Sequence, residues 1–231
     1  MRGIDVSYHN GDIDMQAVKA AGYDFVIIRA GYGKYASQKD PKFEANYLNA
    51  VKAGLHVGAY WYSYATTAQE ALEEARVFAG VIQNKIYDMP VFLDIEESKA
   101  FGRATEIVEA FCSYMESQGY YVGVYSSKSP LETYMPGITE KYCGWVAQWA
   151  DKCTYKYPYV LWQKSDKGRV TGVNGYVDLD ECYDDHLPIV IQAGGYNGYP
   201  KGGDTEKPKT HTVEVYIDGE KVFEKTIPEG K

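Results

Sequence analysis

Residues 91–97 read Val91-Phe92-Leu93-Asp94-Ile95-Glu96-Glu97. An apolar strand that ends in Asp-x-Glu sends both carboxylates to one side, because strand side chains alternate, and sets them at the strand's C-terminal end. In barrels of parallel strands this end carries the reacting groups. An isolated pair of this kind is more often a solvated strand end that caps the following loop, so its meaning depends on what the rest of the chain brings beside it.

Working outward, short β-like runs alternate with amphipathic helical stretches from the N-terminus to about residue 180, the pattern of βα units. The predicted strands are Gly3 to Val6, Phe25 to Arg29, Val57 to Trp61, Val91 to Asp94, Tyr121 to Tyr125, Gly144 to Ala147, Val160 to Gln163 and Gly175 to Leu179. Predicted helices run Met15 to Ala21, Pro41 to Ala53, Thr67 to Val81 and Thr105 to Gln118. In the last of these, Ile107, Val108, Phe111, Cys112 and Met115 share a face and Gly119 follows its end. Eight strands alternating with helices give an α/β chain built as a TIM-like (β/α) barrel over residues 1–187.

The texture then changes. Residues 188–211 read as a linker, since Gly194 to Pro208 is rich in Gly, Pro, Lys and Asp, and residues 212–231 read as a small β-hairpin extension or the start of a truncated module. Within that extension, Thr212 to Ile227 alternates apolar and polar residues around Asp218-Gly219, a strong hairpin signal. A lone hairpin is marginal in water, so it has to pack on the barrel, join a partner or self-associate, or begin a further module.

Reading the other strand ends gives the pair at 94 and 96 its context. Asp5 closes the first strand and Asp178 lies in the last. First and last strands of a closed barrel are neighbours, so acids from the first, fourth and final strands converge on one mouth. Aromatic residues crowd the same ends: Tyr60-Trp61-Tyr62, Tyr125, Trp149 and Trp162. Two carboxyls on one face, one kept protonated by crowding with the other, are what glycoside hydrolysis requires.

Composition narrows the alternatives. The chain has 231 residues, a formal net charge of -8 and no Lys/Arg face to hold phosphates, which argues against nucleic acid. No apolar run approaches the roughly 18 residues a membrane span needs, so insertion is not expected. The 23 Tyr and four Trp suit a carbohydrate groove, though rings serve any core. Cys112, Cys143, Cys153 and Cys182 form no CxxC; Cys143 and Cys153 could pair across a loop, while Cys112 reads as a small buried hydrophobe. His9, His56, His186 and His211 lack zinc-ligand spacing, and no GxGxxG, Walker or GxSxG pattern occurs, so no cofactor or metal is expected. Met1-Arg2-Gly3 leads straight into Ile4-Asp5-Val6, so no signal peptide is expected within the stretch ahead of the first strand. Two rival readings are a non-catalytic wall-binding barrel and a hydrolase that uses the acids to hold a divalent cation.

These residues resemble family 25 of the glycoside hydrolases, the Chalaropsis-type lysozymes of bacteria, fungi and phage. The matching blocks are Gly3-Ile4-Asp5-Val6-Ser7, Phe25-Val26-Ile27-Ile28-Arg29-Ala30, Val57-Gly58-Ala59-Tyr60, Phe92-Leu93-Asp94-Ile95-Glu96, Leu161-Trp162-Gln163 and Gly175 through Leu179, in the family's order from residue 3 to about 186. The resemblance implies an irregular barrel and cleavage of bacterial peptidoglycan between N-acetylmuramic acid and N-acetylglucosamine with retention, outside the cell or in the wall after secretion or phage-type release. It implies Glu96 as general acid, Asp94 as its partner, either attacking the sugar directly or orienting the substrate's own 2-acetamido group as nucleophile, and Asp5 and Asp178 as supporting acids. Tyr32, Tyr60, Tyr62, Tyr125, Trp149, Trp162 and Gln163 are then the expected substrate contacts. His9-Asn10 and Lys164 depart from the family's pattern.

Overall fold

The computed structural model describes residues 1–201, 210–217 and 220–228. Eight strands close a barrel in chain order: β1 (Arg2–Val6), β2 (Phe25–Tyr32), β3 (His56–Tyr62), β4 (Val91–Asp94), β5 (Val122–Ser127), β6 (Cys143–Ala147), β7 (Leu161–Gly168) and β8 (Val177–Cys182). Seven run parallel. The eighth runs back, antiparallel to both β7 and β1, which departs from the uniform βα alternation read from the sequence. The cause is length: only eight residues separate Gly168 from Val177, and a parallel return needs a crossover of a dozen or more.

Outside the strands lie α1 (Met15–Ala20), α2 (Phe43–Ala53), α3 (Ala68–Ile82) and α4 (Ala104–Ser117), close to the predicted helices. Their ends follow local chemistry. Asp14 accepts from the amides of Gln16 and Ala17 at the start of α1, Thr67 accepts from Glu70 at the start of α3, and α2 stops at Gly54, whose φ of 71° is left-handed. Two short helices, α5 (Lys128–Tyr134) and α6 (Ile138–Lys141), follow β5.

The strands are buried on both faces, so their residues divide by parity. Ile4, Val26, Ile28, Val57, Trp61, Leu93, Val124 and Val146 pack outward against Phe43, Phe78, Phe111 and Met115 of the helices. Phe25, Ile27, Phe92, Tyr125, Trp145 and Leu161 fill the barrel's inside. Gly123 shows how tightly that inside is filled: a Cβ there would lie 2.3 Å from the Cys143 carbonyl oxygen and 2.5 Å from the Phe92 ring. The bulk of Phe92 therefore depends on a missing side chain one strand away.

The segment expected as a linker is, through residue 201, part of the barrel. Helix α7 (Leu187–Ala193) places Leu187 and Ile191 in the interior cluster. Beyond it, Asn197 is fully buried: its side chain accepts from the Tyr121 amide at 2.7 Å and donates to the Met89 carbonyl at 2.9 Å. The strands' N-terminal openings are thus closed by the chain that follows β8. Strands β9 (Thr210–Ile217) and β10 (Glu220–Pro228) pair antiparallel as the hairpin signal predicts. The Asp218-Gly219 turn and residues 202–209 lie outside the described residues.

Cys143 and Cys153 are not bonded; all four cysteines are free. Cys143 points toward the interior cluster whereas Cys153 belongs to the outer one, so the barrel wall separates them. Cys112 is fully buried among apolar side chains.

Candidate active site

At the C-terminal ends of the strands, side chains from every side of the barrel meet. Asp94 is the last residue of β4 and is 4% exposed. The ladder carries one residue further, since the Ile95 amide donates to the Tyr125 carbonyl at 3.0 Å and Ser126 Oγ holds the Ile95 carbonyl at 2.6 Å. Ile95 is buried in the outer cluster. Alternation then returns Glu96 to the side of Asp94, just past the strand, where it is open to solvent.

The other acids come from the antiparallel closure. Asp5 faces Asp178 directly in the β1–β8 register and Asp180 faces Gly3. Asp5 accepts from Gln163 Nε2 at 2.8 Å, while Gln163 Oε1 accepts from the Tyr125 hydroxyl at 2.9 Å and from Trp149 Nε1 at 3.1 Å. This amide orientation satisfies all three partners at once. Asp180 accepts from Trp145 Nε1 at 2.8 Å, and its other oxygen is buried with no partner among the described residues.

Too many acids meet here for all to be ionised. Burial, then Asp180 and Asp178, push Asp5 well above the usual carboxylate range. Burial, with Asp178 adding to it against the Trp145 hydrogen bond, raises Asp180 to about 8. Asp178 is raised to about 6, by burial and then by Asp166. Burial, then Glu96, raise Asp94 strongly, and Arg29 offsets part of this. Glu96 is raised by desolvation, then by Asp178 and Glu97.

On the β1–β3 side, a cavity of about 340 Å³ is lined by Tyr8, His9, Arg29, Tyr32, Tyr62 and Tyr64. Tyr62 donates to Glu97 Oε1 at 2.9 Å. Arg29 donates through Nε to buried Asp40 at 2.9 Å and lies 4.8 Å from the Tyr8 ring centre, while its Nη2 is buried with no partner among the described residues. One charged donor thus stands free beside the acids.

Of the expected contacts, Tyr32 and Tyr62 line this cavity and Trp149 stands 61% exposed on the opposite rim. Tyr60, Tyr125 and Gln163 lie deeper. Tyr60 and Tyr125 pack their rings on Trp145, and Tyr125 and Gln163 hold Asp5 instead of walling a groove. Trp162 does not face the acids. It belongs to the outer cluster and donates to the Gln148 carbonyl at 2.8 Å, because Leu161 and Gln163 take the inward positions of β7.

The sequence reading missed Arg29, Asp180, Tyr8 and Tyr64. Signals for two of them were present. Arg29 is the one charge in the apolar run 25–30 and shares parity with inward Ile27, and Asp180 is two residues from Asp178 on the same face. Tyr8 and Tyr64 sit on loops, where no periodicity points.

Residues 4–173 match the family described as Glycosyl hydrolases family 25. Lysozyme M1 of Streptomyces globisporus is 32% identical over 200 residues, covering 78% of this chain and 67% of that protein. The autolytic lysozyme of Clostridium acetobutylicum is 29% identical over 210 residues, covering 88% of this chain. The match spans only 61% of that relative's own length. The crystal structure of the bacterial lysozyme from Streptomyces coelicolor superposes with a TM-score of 0.72 at 29% identity, covering 83% of this chain and 95% of that one.

Proposed function

The chain belongs to glycosyl hydrolases family 25, and from that footing we propose that it is a lysozyme which cuts the β-1,4 bond between N-acetylmuramic acid and N-acetylglucosamine in bacterial peptidoglycan. The observation that carries this reading is the meeting of Asp94 and Glu96 at an open barrel mouth, between an aromatic cavity and the exposed ring of Trp149. The wall lies outside the cytoplasmic membrane, so the enzyme reaches it by secretion or lytic release.

In this reading Glu96 protonates the leaving oxygen. It is the solvent-open member of the pair, and desolvation with Asp178 and Glu97 favours its neutral form. Asp94 lies beneath it on the same side, with Oδ1 buried and lacking a partner among the described residues. Retaining enzymes with a carboxylate nucleophile flank the bond with two groups about 5 to 5.5 Å apart. Two acids at i and i+2 of one strand do not flank. Asp94 therefore accepts the N–H of the muramic 2-acetamido group, whose carbonyl oxygen attacks the anomeric carbon as the proton on Glu96 passes to the leaving sugar. Water, deprotonated by Glu96, then opens the ring so formed. Two displacements give retention, and proton NMR that found the inverted anomer first would overturn the scheme.

Digestion of purified peptidoglycan with mass spectrometry of the new reducing ends tests the bond assignment. Muramic acid ends are expected; glucosamine ends, or none, refute it.

Asp178 offers a pH test. It is the foremost charge raising Glu96, so Asp178→Asn is expected to lower the Glu96 pKa. The acid then loses its proton earlier as pH rises, and the alkaline limb of kcat/KM moves to lower pH. An unmoved limb would remove Asp178 from this role.

A further inference from the structure

Trp149 stands between two depressions. On one side its indole N–H holds Gln163 and, through it, Asp5. On the other it lines a groove of about 560 Å³ together with Asp151, Trp162, Lys164 and Glu181. This groove lies on the outward side of β7 and β8. The connections on either side of β7 contain no helix, so that stretch of wall lacks the cover the other strands have.

The groove differs in chemistry from the cavity on the β1–β3 side. Its floor is the buried ring of Trp162 and its rim the exposed ring of Trp149. Between them Lys164 pairs with Glu181, both partly exposed, and Asp151 is open to solvent. Charges of both signs are held within one aromatic-edged trough, with no partner buried deeply enough to lock them together.

The glycan backbone of the wall is a chain of acetylated amino sugars, whose ring substituents are neutral. Its charge resides in the short peptide carried on the lactyl group of each muramic acid, which has carboxylates and the amine of a diamino acid. A groove of mixed charge that opens off the sugar-binding mouth fits that branch better than it fits the backbone. Resting on the reading of the mouth as a peptidoglycan site, we propose that the Trp149–Lys164–Glu181 groove receives the stem peptide of the wall. Lys164 meets a peptide carboxylate, Asp151 and Glu181 meet the amine, and Trp149 covers the branch point.

Titration calorimetry of the full chain tests this with two probes, the N-acetylglucosaminyl-N-acetylmuramoyl tetrapeptide and the same disaccharide with its lactyl carboxyl capped as a neutral methylamide in place of the peptide. The peptide-bearing probe is expected to bind about tenfold more tightly or better, the size of one charge-assisted contact. In Lys164→Ala/Glu181→Ala the ratio of the two affinities should collapse toward one. A ratio near one in the unaltered chain, or an unchanged ratio in the double variant, overturns the groove. Release of reducing ends from whole walls reports separately on the enzymatic reading. A chain that releases muramic acid ends without discriminating the probes loses the groove alone. One that discriminates them yet releases no ends keeps the groove and loses the hydrolase.

Discussion

Glu96→Gln is expected to lower kcat on purified cell walls by about two to four orders of magnitude, the span that a positioned general acid contributes. Gln keeps the shape and the hydrogen-bonding reach of Glu, so the opening between Trp149 and the Tyr62 cavity should keep its form; what disappears is the transferable proton. The loss should therefore fall on kcat, with KM changed little. Stability should not suffer. Glu96 lies in the field of Asp178 and Glu97, so neutralising it removes repulsion instead of breaking a pair. A melting temperature at or above that of the unaltered chain, combined with a collapse in turnover, is the expected signature. Near-normal lysis by Glu96→Gln would move the proton donor elsewhere, and Asp94 would be the next candidate, since burial keeps it the harder of the two to ionise. Asp94→Asn separates the cases. If Asp94 only receives the acetamido N–H, the variant retains a pH profile with the same alkaline limb at a lower height.

The sequence made the barrel legible because its first six strands are largely apolar on both faces and its helices on one, and those two textures alternate to residue 147. That same two-sided burial concealed parity. Along Leu161-Trp162-Gln163 nothing in the polarity says which residues face in, and Trp162 reads as a cleft residue until Gln163 is found bonded to Asp5. Parity was legible only where a charge interrupts an apolar strand, as Asp94 does in β4 and Arg29 does in β2. Strand direction was not legible, because the expected strands stopped at Gln163 and resumed at Gly175, and only the continuation of β7 to Gly168 shortens the span to eight residues.

The stretch from 188 to 201 was misread for a different reason. Gly194, Gly195, Gly198 and Pro200 are what a linker contains, and they are also what a tight plug contains. Gly198 has a φ of 89°, and a Cβ there would lie 2.4 Å from the Lys85 carbonyl oxygen. Only glycine passes so close to another backbone in that conformation. Composition reports the absence of side chains, and both a flexible tether and a packed turn need it.

If those residues close the barrel, Asn197→Ala should be among the most destabilising single substitutions far from the acids. Asn197 carries a φ of 54°, a left-handed value that Asn tolerates and Ala does not readily adopt. Its side chain satisfies the Tyr121 amide and the Met89 carbonyl, while its backbone donates to Gly119 and accepts from Tyr87. Alanine leaves two buried backbone groups without partners, at about 1 to 3 kcal/mol each, before any backbone strain is added. A total of about 2 to 5 kcal/mol corresponds to a fall of roughly 5 to 15 °C in melting temperature for a domain of this size. Turnover at temperatures where the variant stays folded should hold, because Asn197 sits at the end of the barrel opposite Asp94 and Glu96. Asn197→Asp makes the argument sharper. It keeps the acceptor for Tyr121 and can keep the left-handed backbone, but at neutral pH it replaces the donor to Met89 with a buried charge, so its stability should recover in part as the pH falls and the carboxyl takes up a proton. A melting temperature within about 2 °C of the unaltered chain for Asn197→Ala would return residues 194–201 to the role of a tether, and the barrel floor would have to be closed by α7 alone.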